Sequence, residues 1–381
     1  MKKHLFIIFI ITIGYMNVSA QANVGQANVG DEQNIKELIE KGIKHHDARE
    51  YKQAIESYKE ALKIDPNSMF ATYEMALTYL ELRDYRNASV YSKKVIESKN
   101  KDLLVGAYGV KSESLAQTGK VDQAIKLLEE AIRKHGNDYY LHFNLALNYF
   151  NKGNLDKTIF HVDNALNLSK SQSGAYLLSA YALNDKHIWV QSILSFHIFL
   201  LMEPDSHRSK NAFEEMLQVM QVKESTEKPV ERSFIQQQLQ RKINPTDTNA
   251  SINNTPPLDL VDGLNRELIY HAIENTKDSL RAIPQDSLEI DSLTSPLYIT
   301  FKEVTRTLFS VLNDENDGTK NGSIWNFYIP ITSKILESEH FDTYCRYISV
   351  AYFPESLKWW ENNQESAAKF VRWFEKGDEN E

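Results

Sequence analysis

One spacing constrains this chain more than any other feature. Ala54, Ala88, Ala124, Thr158 and Ser192 follow one another at intervals of 34, 36, 34 and 34 residues. Twelve residues before each stands another small residue: Gly42, Ala76, Ser112, Ala146 and Ala180. Seven residues after come Ala61, Val95, Ala131, Ala165 and Phe199, and three before come Tyr51, Tyr85, Val121, Leu155 and Trp189. Each unit reads as two antiparallel helices. Small side chains at the crossing let the backbones approach, and the large residue after the turn fills the gap between them. Asp47-Ala48-Arg49-Glu50, Thr118-Gly119-Lys120 and Lys152-Gly153-Asn154 supply polar turns, while Asp65-Pro66 and Glu203-Pro204 stop helices at two unit ends.

At these residues the chain resembles tetratricopeptide repeats. The segment Ile35–Ser68 matches best, with Gly42, Ala54, Tyr58, Ala61 and Pro66 all in place. Repeats two to four follow, and repeat five is looser because Ser192 and Phe199 stand for alanine. The resemblance covers about Asn34 to Ser206, under half the chain. His207 to Val222, with Phe213, Met216, Leu217 and Met220 on one side, reads as a capping helix. The predicted fold class is therefore all-α: a tetratricopeptide-like right-handed α-solenoid followed by a helical C-terminal domain.

The resemblance implies that the first helix of each pair lines a concave groove. Carried over place by place, the lining holds Lys36, Ile39, Ile43 and His46 in repeat one, and Phe70, Tyr73, Leu77 and Leu80 in repeat two. Repeat three contributes Gly106, Gly109, Glu113 and Ala116, repeat four Tyr140, Phe143, Leu147 and Phe150, and repeat five Gly174, Leu177, Tyr181 and Asn184. The candidate contact set is Phe70, Tyr73, Leu77, Gly106, Gly109, Tyr140, Phe143, Leu147, Phe150, Leu177 and Tyr181. Aromatic anchors of this kind suit an extended or helical protein segment. Gly106 and Gly109 are expected to leave a hollow between two aromatic walls. An apolar patch this large is rarely left wet, so the competing reading fills it with the chain's own linker or C-terminal helices. Repeats that clamp a chaperone's terminal carboxylate use lysine, asparagine and arginine; here those places hold Ile39, Ile43, Glu74, Gly106 and Val110, which argues against that ligand.

The N-terminus points to export. Met1-Lys2-Lys3-His4 precedes an apolar run from Leu5 to Gly14, and Val18-Ser19-Ala20 offers small residues for cleavage after Ala20. The run is too short to span a bilayer, which needs about 20 apolar residues. The expected product is periplasmic or secreted. Residues 21–33, with the duplicated Gln-Ala-Asn-Val-Gly, read as a flexible leader. The formal charge of −9 sets nucleic acid aside as the main partner, because phosphate binding needs a basic face. The single cysteine, Cys345, precludes an internal disulfide.

Repeats and cap occupy 34–222, a polar linker 223–257 and the C-terminal domain 258–376. Helical stripes there are Leu260, Leu264, Leu268 and Ile269; Phe301, Val304, Leu308 and Val311; Tyr328, Ile331, Ile335 and Leu336; and Phe341, Tyr344, Cys345 and Ile348. Leu357, Trp359 and Trp360 lead to Phe370, Val371, Trp373 and Phe374. The stretch Asp314–Gly318 followed by Ile324–Tyr328 resembles the C-terminal region of secreted repeat proteins of Bacteroidetes.

Chemistry is sparse. The turn Asn313–Gly318 lacks the glutamate a calcium loop needs at its twelfth place, which is Ile324. His142, His161, His187 and His197 do not form the His-Glu pattern of hydrolytic zinc sites, and there is no nucleophile elbow. Cys345 lies on an apolar stripe and reads as core. Asp278-Ser279-Leu280, Asp286-Ser287-Leu288 and Asp291-Ser292-Leu293 resemble O-glycosylation acceptors of exported Bacteroidetes proteins, or serve as turn and cap residues. The expectation is a non-enzymatic scaffold with no cofactor, metal or catalytic residue, binding a protein or peptide in the cell envelope. The alternatives are a small-ligand receptor or enzyme with a pocket beside Trp325, Trp359 or Trp373, and a subunit of a secretion, motility or polysaccharide-uptake complex.

Overall fold

The computed structural model describes residues 29–223, 262–284 and 293–376. Among these residues there are seventeen α-helices and no strand. Five helical pairs come first: α1 Val29–Asp47 with α2 Tyr51–Ile64, α3 Met69–Glu81 with α4 Tyr85–Ser98, and α5 Lys101–Gln117 with α6 Val121–His135. Then follow α7 Tyr139–Asn151 with α8 Leu155–Leu168, α9 Ser173–Asp185 with α10 Trp189–Met202, and the cap α11 His207–Val219. The first helix starts within the expected leader, at Val29; Asp31 and Glu32 in its first turn complement the helix dipole.

Each pair turns the same way. Arg49, Arg83, Gly119, Gly153 and His187 all take left-handed backbone, with φ of 61°, 59°, 78°, 75° and 61°. The next residue in each case donates its N–H five residues back, as from Lys120 to Leu115 and from Asn154 to Tyr149, closing the orphan carbonyls of the first helix. Side-chain caps start many of the helices: Ser68, Asp84, Asn100, Asp138 and Asn154 each accept a backbone N–H of the first turn.

Gly42 shows why the crossings need small residues. A Cβ there would fall well inside contact distance of the fully buried Tyr58 ring. Successive first helices pack on one another, α3 on α5 and α5 on α7, while successive second helices make no comparable contact. The first helices therefore form the inner layer of a curved stack.

The C-terminal helices are α12 Arg266–Ala282, α13 Pro296–Asp314, a π-turn Ile324–Tyr328 that runs into α14 Ile329–Glu337, α15 Phe341–Ile348, α16 Pro354–Asn362 and α17 Gln364–Lys376. Their stripes are largely those anticipated: Phe301, Val304, Leu308, Tyr344, Cys345 and Ile348 are buried. The first stripe differs. Asn265 caps α12, so Leu264 precedes the helix, and the buried apolar residues are Ile269 and Ile273 while Leu268 is exposed.

These helices do not have a separate core. One apolar cluster runs from Ala146 and Phe150 through α9, α10 and α11 to Phe309, Tyr344 and Phe370. Phe213 of the cap meets Phe301, Tyr352 and Phe353 at ring separations of 4.9, 5.2 and 5.5 Å. Polar ties cross the same seam. Ser195 Oγ lies 3.1 Å from the Tyr328 hydroxyl, and His197 Nδ1 lies 2.7 Å from the Tyr344 hydroxyl. Gln191 donates to Asp262 across the seam, and on the C-terminal side Trp325 donates its indole N–H to the Asp262 carbonyl.

Candidate partner groove

The inner layer places the proposed contact residues in three settings. Phe70 and Tyr140 are open, at 44% and 52% exposure. Tyr73, Leu77, Gly106, Gly109, Phe143 and Leu147 are partly buried. Leu177 and Tyr181, at 1% and 2% exposure, and Phe150 are buried within the core shared with the cap and the C-terminal helices. Tyr181 stacks edge-on against Phe196 of its own repeat, with centroids 5.5 Å apart. The first helix of repeat five, α9, therefore exposes no aromatic ring.

The expected hollow at repeat three is partly filled. The Tyr73 hydroxyl lies where a Gly106 side chain would be, so Gly106 is required for this close approach. Phe143 leans over Gly174 in the same manner, the ring lying 3.3 Å from where a Cβ would stand. Tyr73 of repeat two and Phe143 of repeat four thus each rest on a glycine of the following repeat. Gly109 stays open, with only Asn144 Nδ2 within reach of an added Cβ, at 3.5 Å. The Tyr73 phenol also feels the Tyr140 phenol across this gap, and burial pushes Tyr73 up to about 12.

One residue absent from the expected contact set stands out. Glu74 follows Phe70 by four positions and shares its side of α3. Burial pushes its carboxyl up to about 7, and the nearby Asp47 adds to the effect. Glu74 is nonetheless partly solvent-accessible. A group surrounded by protein yet still wetted lies in a concavity. The sequence marked Glu74 only as a departure from the carboxylate-clamp pattern; its desolvation depends on how α1 and α3 pack.

Elsewhere, folding joins residues that look unrelated in sequence. His142 and His161 approach to 3.0 Å between Nδ1 atoms, His142 Nε2 lies 3.2 Å from Asn137 Oδ1, and Tyr149 stacks on His161 at 5.5 Å. Burial and the neighbouring His142 push His161 down to about 4. No group of three or more His, Cys, Asp or Glu side chains suited to a metal ion occurs among the described residues. The acidic turn is structural: Glu315 accepts from the Asn265 N–H at 3.2 Å and pairs with Lys320 at 3.5 Å, and Asp317 accepts from Thr319. Burial pushes the Cys345 thiol up, which keeps it un-ionised.

The tryptophans do not converge on one cleft. Trp325 is buried beneath Lys320, whose ammonium sits 4.2 Å from its ring. Trp359 and Trp360 pack together, with Trp360 against Tyr347. Trp373 borders a depression of about 440 Å³ lined by Pro330, Ser333, Lys334, Glu337 and Ser338, and Lys334 already covers its ring at 5.3 Å. Asp278-Ser279-Leu280 lies inside α12, where Asp278 pairs with Arg281 at 2.8 Å; the other two Asp-Ser pairs lie outside the described residues, as do residues 1–28. No helix among the described residues is long and apolar enough to cross a membrane.

Comparison with known proteins agrees with the repeat geometry. Two tetratricopeptide repeat models match this chain, one at residues 111–159 and the other at residues 45–68 and 71–102. A TPR repeat-containing protein of Methanocaldococcus jannaschii is 28% identical over 139 residues, which is 36% of this chain and 24% of that relative. Among solved structures, a thermophilic TPR protein of Thermus thermophilus covers 49% of this chain and 99% of its own at 20% identity, with a TM-score of 0.42. The pilF protein of Pseudomonas aeruginosa covers 50% of this chain and 86% of its own at 18% identity, with a TM-score of 0.43. By the family models, tetratricopeptide repeats lie within residues 45–102 and 111–159.

Proposed function

We propose that this protein is an exported, non-enzymatic scaffold that holds a protein segment against the first helices of repeats one to four. The carrying observation is the pair Phe70 and Tyr140. Two large rings remain exposed on the inner layer, on either side of the glycines of repeat three. Exposed aromatic rings beside partly filled gaps are the usual anchors of segment recognition. Export rests on the charged, apolar and small-residue sequence of residues 1–20.

The test uses the chain from Gln21 onward to select from a displayed peptide library, followed by anisotropy titration of the selected peptides. Phe70→Ala with Tyr140→Ala is expected to weaken binding at least roughly tenfold, as loss of two anchor rings does at other interfaces. Unchanged affinity in the double variant refutes the groove. For export, expression of the full chain in a Gram-negative host is expected to yield periplasmic protein starting at Gln21. Cytoplasmic protein retaining Met1 refutes it.

A further inference from the structure

The groove reading leaves open what kind of segment it accepts, and the residues around Glu74 narrow that choice. Phe70, Tyr73, Glu74 and Leu77 occupy one side of α3, at the i, i+3, i+4, i+7 places that share a helical face. Phe70 is exposed at the start of this face, and Glu74 lies one turn further on. Asp47, at the end of α1, adds a second carboxylate to the same neighbourhood. His46, next to Asp47, is engaged with Thr78 Oγ1 at 2.8 Å, and burial raises the Tyr58 and Tyr73 phenols. Among the described residues no lysine or arginine forms an ion pair with Glu74.

An ionised carboxylate that has lost water and gained no cation is costly. Its cost is relieved when a cation arrives, and increased when an acidic or purely apolar group covers it. The exposed ring of Phe70 beside it offers a π-face to the same cation. The chain's formal charge of −9 adds a long-range attraction of the same sign. Resting on the groove reading above, we infer that Phe70, Tyr73 and Glu74, with Asp47 behind them, form a subsite for an arginine or lysine side chain of the bound segment. The partner is therefore a basic segment, with apolar residues that reach the Tyr140 side of the groove.

The experiment titrates the chain from Gln21 onward with three fluorescein-labelled nonapeptides. Each has leucine and phenylalanine on an alanine-serine background and differs at one central position: arginine, glutamine or glutamate. The arginine peptide is expected to bind roughly tenfold tighter than the glutamine peptide, and the glutamate peptide weakest. Glu74→Gln is expected to bring the arginine-to-glutamine ratio near one. Its melting temperature should match or exceed that of the parent, because a desolvated carboxylate has been removed. Equal affinity for arginine and glutamine peptides, or a ratio that survives Glu74→Gln, overturns the subsite and leaves the groove standing. Failure of all three peptides to bind overturns both.

Discussion

Repeats one to three and repeats four to five are written in the same 34-residue pattern and end in different physical states. The early repeats bury small, separate clusters, such as Ile39, Tyr58 and Met75, or Leu104, Tyr108 and Leu128. Repeat five, with Ala146, Phe150 and Val162 of repeat four, belongs to a single core that continues into the C-terminal helices. The second helices of repeats two and five show the difference most clearly. In α4 only Ala88, Ser92 and Val95 are buried and Val90 is exposed, whereas α10 buries every residue from Val190 to Leu201. The pattern of small residues makes the hairpin. The outward-facing residues decide whether that hairpin stands in an open stack or becomes the middle of a core.

The largest effect should come from cutting the shared core. Phe309→Ala removes a fully buried ring that touches His197, Phe341 and Tyr344. A loss of about 3–5 kcal/mol is expected. Hydrogen exchange should rise in α9 and α10 as well as in α13, because the core is continuous. Leu128→Ala, of about 2–5 kcal/mol, should raise exchange only in repeats two to four, as in a nearest-neighbour stack. Exchange confined to α13 in the first variant would break the contrast.

Acid should separate the regions next. Burial pushes His197 down to about 3, and the imidazole lies at the seam with Tyr344. A free histidine titrates near 6.5, so the unfolded chain takes up this proton first as pH falls. The contribution is complete above about pH 6.5 and is lost progressively toward pH 3. Between pH 7 and 4.5 it amounts to roughly 2–3 kcal/mol. His142 and His161 are lowered in the same direction and add to the slope. Thermal melts of His197→Gln should show a shallower loss over this window, and an unchanged slope would exclude the seam as the acid-sensitive site.

The smallest expected effects compare two glycines in the early repeats. Gly42→Ala meets the locked ring of Tyr58 and is expected to destabilise by about 1–3 kcal/mol. Gly106→Ala meets the hydroxyl and the adjoining edge of the Tyr73 ring, which is only partly buried, whereas Tyr58 is fully buried. The helix propensity gained, about 1 kcal/mol, should offset most of that cost. Chemical denaturation of both variants checks the order, and equal losses would mean that Tyr73 is held as firmly as Tyr58.

Much of this was legible in the residues. The turns at Gly119 and Gly153, the small crossings and the buried stripes of α13 and α15 follow from local spacing, because helical periodicity is a short-range property. The groove was legible only in part. Phe70 and Tyr140 are exposed as a lining residue must be, but Leu177 and Tyr181, assigned to the same lining in repeat five, are buried. A signal for that was present: α10 reads Trp-Val-Gln-Ser-Ile-Leu-Ser-Phe-His-Ile-Phe-Leu-Leu-Met, with no charged residue on any side. A helix without a polar face must be covered all round. The repeat alignment, which compares one place at a time, does not register it.

By itself, then, the sequence determined that the chain folds as paired helices, where each pair turns, and which rings the inner layer carries, since each follows from residues within one or two turns of each other. Only the tertiary structure decided which of those rings stay open, how Glu74 loses its water beside Asp47, and that the C-terminal helices share a core with repeats four and five. The shared core depends on residues more than a hundred positions apart, such as Ser195 with Tyr328 and His197 with Tyr344, and burial is a property of what finally surrounds a side chain.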